Sequence, residues 1–241
     1  MKRAERHHLK ENELKHLAQQ ARDAYGTRRR ELSWVLAAVV LAAVTAVGYF
    51  GYREYVRTRA GTLLAEAMAV QDARIGPPPA PGTVTAAPYF PTERERFQAA
   101  LARFKTAADA YPSTEDGIFA RYKEATIQMA LGTFSDAAKA YQQVIDRAGG
   151  GIHGEMARLG LAEAQAQSGQ YDRAISTFKE LAQKNDGLLP VDGILMELGR
   201  AYRDAGKPGD AQQTFNRIVT EFPDSPFNAD AKRELDSLKK T

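Results

Sequence analysis

The chain has 241 residues, 44% hydrophobic and 26% charged, a composition that allows one or two packed domains and excludes a disordered or fibrous polymer. It has no cysteine, which excludes disulfides, thiolate catalysis, Cys-ligated zinc or iron–sulfur centres and acylated-cysteine anchors. The net charge of +3 is uneven: residues 1–32 carry nine Lys/Arg against five Asp/Glu, a net +4, and the remainder nets −1. The larger part of the chain therefore has no electrostatic drive toward nucleic acid.

In chain order, residues 1–32 predict a cytoplasmic basic arm with a short amphipathic helix, Leu9, Leu14, Leu17, Ala21 and Tyr25 falling near one face. That face either docks on a partner or stays solvated. His7, His8 and His16 have no further ligand at metal spacing nearby, so no metal is expected.

Residues 33–52, SWVLAAVVLAAVTAVGYFGY, contain no charge. At about 1.5 Å per residue, 20 helical residues span a hydrocarbon core of roughly 30 Å. Trp34 stands at one end and Tyr49, Phe50 and Tyr52 at the other, the placement expected of two membrane interfaces. A transmembrane helix is expected here; a buried helix and a cleaved signal peptide are the alternatives. The signal-peptide reading would need a basic leader of over 30 residues and offers only Ala46 and Gly48 as a weak cleavage site. Lys15, Arg22, Arg28, Arg29 and Arg30 before the span outweigh Arg53, Arg57 and Arg59 after it. This excess puts the N-terminus in the cytoplasm, with the Arg28, Arg29, Arg30 triplet facing anionic lipid.

Residues 53–75 predict an extramembrane helix that either forms the first half of a repeat or serves as a loose tether. The Pro-rich loop at 76–91, GPPPAPGTVTAAPYFP, cannot be helical.

From residue 92 onward the chain repeats every 37 residues. Ala100, Ala137, Ala174 and Ala211 are in phase; so are Phe104, Tyr141, Phe178 and Phe215 four positions on, and Ala107, Val144, Leu181 and Ile218 three further. A small, aromatic, apolar triplet at i, i+4, i+7 is one face of a helix. Gly132, Gly169 and Gly206 each precede such an alanine by five residues, where a first helix would end. The expected unit is helix, tight turn, helix, closed by Pro112, Gly149, Asp186 or Pro223. Residues 228–240 are amphipathic through Ala231, Leu235 and Leu238 and predict a capping helix.

These residues resemble the tetratricopeptide repeat. The fourth unit matches at Leu198, Gly199, Ala201, Tyr202, Gly206, Ala211, Phe215 and Pro223. The third matches at Leu161, Ala162, Gly169, Tyr171, Ala174 and Phe178, and the second at Ala125, Gly132, Phe134, Ala137 and Tyr141. The second unit lacks the large first-helix aromatic, and the period is 37, not the usual 34. The fold expected is all-α: a single N-terminal transmembrane helix, then a helical-hairpin solenoid of about four units over residues 92–241 with a C-terminal capping helix. The resemblance implies protein binding along the first helices. Its groove positions map to Phe119, Tyr122, Thr126 and Met129, then Met156, Leu159 and Glu163, then Met196, Arg200 and Arg203. These are read either as an adaptable apolar surface with two arginines able to hold a carboxylate, or as packing between repeats.

Chemistry is not expected. Residues 149–154, GGGIHG, match a phosphate-binding string by letter but follow a helix instead of a strand, and His153 is the domain's one histidine. No catalytic arrangement, cofactor or metal site is read. The layout is similar to the ancillary SecYEG translocon subunit (YfgM-like) family. That resemblance implies a single-pass bacterial inner-membrane protein with a periplasmic repeat domain. Its implied partners are the translocon, periplasmic chaperones or a prolyl isomerase, and exported chains. An envelope scaffold similar to the Tol–Pal coordinator, and a membrane-complex assembly factor, are the alternatives.

Overall fold

A computed structural model describes Gln19, Arg22 and residues 29–77, 88–184 and 188–239. The expected amphipathic face of the arm, Arg28, most of the Pro-rich loop and Asp186 lie outside the described residues. The described residues form an all-α chain of nine helices with one minimal pair of strands.

Helix α1 runs Arg29–Gln71, so Arg29 and Arg30 lie in its first turn. By internal packing the chain separates into two units, Met1–Tyr55 and Val56–Thr241. In the first unit, every side chain from 33 to 55 is exposed, including Trp34, Leu36, Leu41, Val47 and Phe50. This stretch is long and apolar enough to cross a membrane. Thr45 donates to the carbonyls of Leu41 and Ala42 at 2.8 and 2.9 Å, so this hydroxyl is satisfied by its own helix.

In the second unit, one face of the last turns of α1 is buried. Ala67 joins Ala100, Phe104, Ala107 and Ala120 in one apolar cluster, flanked by Leu63, Leu64, Met68 and Val70. Helix formation stops at Gln71, short of the Ile75 expected from sequence. Gly76 and Pro77 follow, the glycine at φ 153, and the chain turns extended. Strand β1, Arg74–Ile75, pairs in parallel with β2, Tyr89–Phe90, in the register Arg74 to Tyr89 and Ile75 to Phe90.

Eight helices follow: α2 Glu93–Ala110, α3 Glu115–Ala130, α4 Phe134–Ala148, α5 Ile152–Gln167, α6 Tyr171–Gln183, α7 Val191–Asp204, α8 Pro208–Glu221 and α9 Asn228–Leu238. Consecutive helices pack on one another along the chain, and the first helices of successive hairpins also touch. The in-phase alanines 100, 137, 174 and 211 are all fully buried, as are Phe104 and Phe215 four positions after two of them. A methyl at the first position lets two helices approach, and the ring one turn later fills the space between them.

Each hairpin turns in the same way. Gly132, Gly169 and Gly206 sit at φ +79, +79 and +71. The next residue's amide, of Thr133, Gln170 or Lys207, donates five residues back to Gln128, Gln165 or Tyr202. This is the Schellman ending, which satisfies helix-end carbonyls and admits glycine without strain. Between hairpins, Thr114 caps α3 by accepting from the Gly117 amide, and Thr92 caps α2 by accepting from that of Glu95.

Candidate protein-binding face

Helices α3, α5 and α7 are the first helices of the three regular hairpins. Inward-facing Ala120, Ala125, Ala157, Ala162, Ile194 and Leu198 are buried, which turns the residues at intervening positions toward another face. On α3, Phe119, Tyr122 and Met129 are half-buried and Thr126 is exposed. On α5, Met156, Leu159 and Glu163 are half-buried, as are Arg200 and Arg203 on α7. Met196 departs from the expected groove: it is fully buried in the apolar cluster that includes Phe178, Leu195 and Phe215. With three-residue spacing to Gly193 and Gly199, its helix sits close to its neighbours, and the flexible thioether fills the interior.

The aromatic side chains form a connected patch. Phe119 stacks on Tyr122 with ring centroids 6.4 Å apart, and contacts the ring of His153 at 5.9 Å. Lys123 Nζ lies 5.8 Å over the Phe119 ring. Tyr122 meets Tyr141 of α4 edge-on at 5.7 Å. Tyr141 reaches this patch because α5 has a glycine beneath it: a Cβ on Gly160 would lie 2.4 Å from the Tyr141 ring. The Tyr141 hydroxyl is 3.5 Å from Thr126 Oγ1.

Electrostatics single out one carboxylate. Burial, aided by the like charge of Glu197, pushes Glu163 up to about 7. Burial also raises both phenols, Tyr141 to about 12, with the Glu163 charge adding to the effect on each. Among the described residues no donor reaches the Glu163 carboxylate.

The arginines expected to receive a partner's carboxylate hold carboxylates of this chain. Arg200 Nη1 donates to Glu197 at 2.6 Å. Arg203 Nη1 donates to both oxygens of Glu234 on α9, at 2.7 and 2.6 Å, and Nε donates to Asp204 at 2.9 Å, which holds the guanidinium firmly protonated. No local pattern reveals this pairing, because Glu234 lies 31 residues away and only the docking of α9 brings it close.

Two further ionic clusters tie helices together. Buried Arg121 pairs with Asp109 of α2 and with Glu124, its guanidinium holding the Asp109 carboxyl below the ordinary range. Glu155, 2% exposed, accepts from Arg158 at 2.7 Å and from Lys184 at 2.6 Å. A polar cavity of about 610 Å³ opens beside Asp109, Pro112, Arg121, Gln143, Asp146 and Arg147, and none of the expected groove residues lines it. Among the described residues no three His, Asp or Glu side chains converge as metal ligands. Gly149, at φ 61, ends α4, and α5 begins at Ile152, so the glycine-rich string is an interhelical turn.

Two crystal structures of tetratricopeptide-like repeats assigned to a kinesin light chain of Podosopora anserina share this fold. One superposes with a TM-score of 0.57 at 14% identity, covering 76% of this chain and 86% of that one. The other, a variant of the same repeats, gives 0.56 at 15% identity, with 76% and 85% covered. No curated protein matches the sequence. Residues 29–239 match the model of the tetratricopeptide repeat-like domain, and the chain belongs to that family.

Proposed function

We propose that this chain is a membrane-anchored adaptor that binds other proteins along the first helices of its repeats. The observation that carries the reading is the stacked Phe119–Tyr122 pair on α3, with Met129, Met156 and Leu159 half-buried at the other groove positions of α3 and α5, in a fold whose family supplies interaction modules. Aromatic and methionine side chains on a rigid helical face suit adaptable contact with apolar segments. The exposed apolar stretch of α1 is the anchor. Its flanking charge puts the N-terminus in the cytoplasm, with Arg28, Arg29 and Arg30 at the inner leaflet and the repeat domain on the far side of a bacterial inner membrane. The role that fits is an ancillary subunit at the secretion translocon, receiving exported chains or periplasmic chaperones. An envelope scaffold for division or Tol–Pal-type assembly is the second reading, favoured by the same repeat architecture.

A photo-crosslinking amino acid placed at Phe119 or Met156 in the full chain, followed by identification of the adducts, tests both. Translocon, chaperone or exported-chain adducts support the first reading; division or Tol–Pal adducts without them replace it with the second. N-terminal sequencing of the membrane-bound protein tests the anchor, which a mature start near Tyr49 would refute.

A further inference from the structure

The ionic groups of the first-helix face are unevenly satisfied. Positions 126, 163 and 200 are equivalent in the three units, and Thr126, Glu163 and Arg200 occupy them. Thr126 is bonded to its own helix and lies by Tyr141, and Arg200 is paired with Glu197. Glu163 alone of the three has no partner among the described residues, and the charge acting on it, Glu197 from α7, has its own sign. Gly160, one turn before Glu163 on α5, lies against the ring of Tyr141 from α4, and that ring meets Tyr122 of α3 edge-on at 5.7 Å.

A half-buried carboxylate without a counter-ion costs stability, and a cation brought to it relieves that cost. Tyrosine ring faces attract the same class of group. We propose that this face binds a partner segment carrying a lysine or arginine next to an apolar side chain, with the cation on Glu163 beside Tyr122 and Tyr141 and the apolar group on Phe119, Met156 and Leu159. Charge complementarity selects this occupant: an acidic segment would meet Glu163 and Glu197 and find Arg200 and Arg203 already engaged. The assignment rests on the reading of this face as the binding surface.

The test is to pan a random dodecapeptide display library against the full chain in detergent, in parallel with E163Q and with a Phe119→Ala, Met156→Ala double variant. The parent is expected to enrich peptides with Lys or Arg adjoining an apolar residue. A selected lysine peptide should bind the parent about tenfold tighter than its norleucine version, the scale of one charge-assisted bond. E163Q should lose that preference and keep the apolar one. The lysine-to-norleucine comparison uses only the parent protein, so it does not depend on how a variant folds. Apolar peptides without basic enrichment, or acidic ones, would overturn the cation assignment and leave the binding face intact. Recovery of no peptide, or recovery unaffected by the double variant, would overturn the binding face itself.

Discussion

Alanine is used in opposite ways in the two units. In the exposed part of α1 it recurs at 37, 38, 42, 43 and 46 with no neighbour from elsewhere in the chain, and it serves as a helix former of low polarity. In the repeats, Ala100, Ala137, Ala174 and Ala211 are fully buried at fixed spacing, and each sets the distance between two helices. Composition cannot tell these uses apart. The phase of the residues around them can, because a ring stands four places after each of these four buried alanines at a constant 37-residue period, whereas among the five exposed ones only Ala46 has a ring at that spacing, Phe50.

The sharpest break of this comparison is to remove one ring from each unit. Phe215→Ala empties a fully buried site and should destabilise the C-terminal hairpin by about 3–5 kcal/mol. Phe50→Ala, at an exposed position, should change repeat-domain stability by less than about 0.5 kcal/mol. Urea denaturation of the full chain in detergent, followed by circular dichroism, measures both. Equal effects would mean that the two units are not packed differently.

Next in size is Glu163, since residues 33–52 hold no charge and the repeats half-bury this carboxylate without a counter-ion among the described residues. The folded state keeps the Glu163 proton up to about pH 7, whereas a free glutamate releases it near 4.5. This group's contribution is therefore fully present below about pH 4.5, falls as pH rises, and is lost above about 7. The shift corresponds to at most about 3 kcal/mol. E163Q should melt above the parent at about pH 8 and level with it at about pH 4.5, and thermal melts at the two pH values read the difference. A gain of the same size at both would show that charge is not the cause.

The smallest effect concerns glycine. A Cβ on Gly199 would lie 2.4 Å from the Phe215 ring, whereas one on Gly48 meets nothing within 4 Å. Gly199→Ala should cost about 1–3 kcal/mol by overpacking. Gly48→Ala should leave the repeat domain unchanged and make α1 more helical, by up to about 1 kcal/mol of propensity. Thermal melts give the first, and the helical signal in detergent gives the second.

The all-α fold and the helical-hairpin repeat were legible in the sequence because both depend on local periodicity. The three in-phase columns, alanine, aromatic and apolar, needed no partner to be recognised. Gly132, Gly169 and Gly206 marked the turns because helix ends have strict backbone demands. The strand pair escaped notice, since Arg74–Ile75 and Tyr89–Phe90 are two residues each and their pairing spans a proline-rich segment. On the candidate face, helix positions could be read but the state of each side chain could not. Met196 has the same spacing as half-buried Leu159 and is nonetheless interior, because its surroundings come from neighbouring helices. Arg203 looked available until α9 brought Glu234 to it. Glu197 went unremarked because its equivalents, Gly160 and Lys123, share no chemistry with it; only the fold sets it against Glu163.

The three glycine turns also bear on how such a chain can be edited. Each has the same backbone bonds, and the spacing between them is constant. A deletion from residue 133 to residue 169 would join Gly132 directly to Gln170, leaving one intact turn at the seam and α3 leading into α6. Insertions of the same length would behave alike. Recombination at these seams changes the number of hairpins without building a new loop, so the length of the array can vary in whole steps while every junction stays chemically the same.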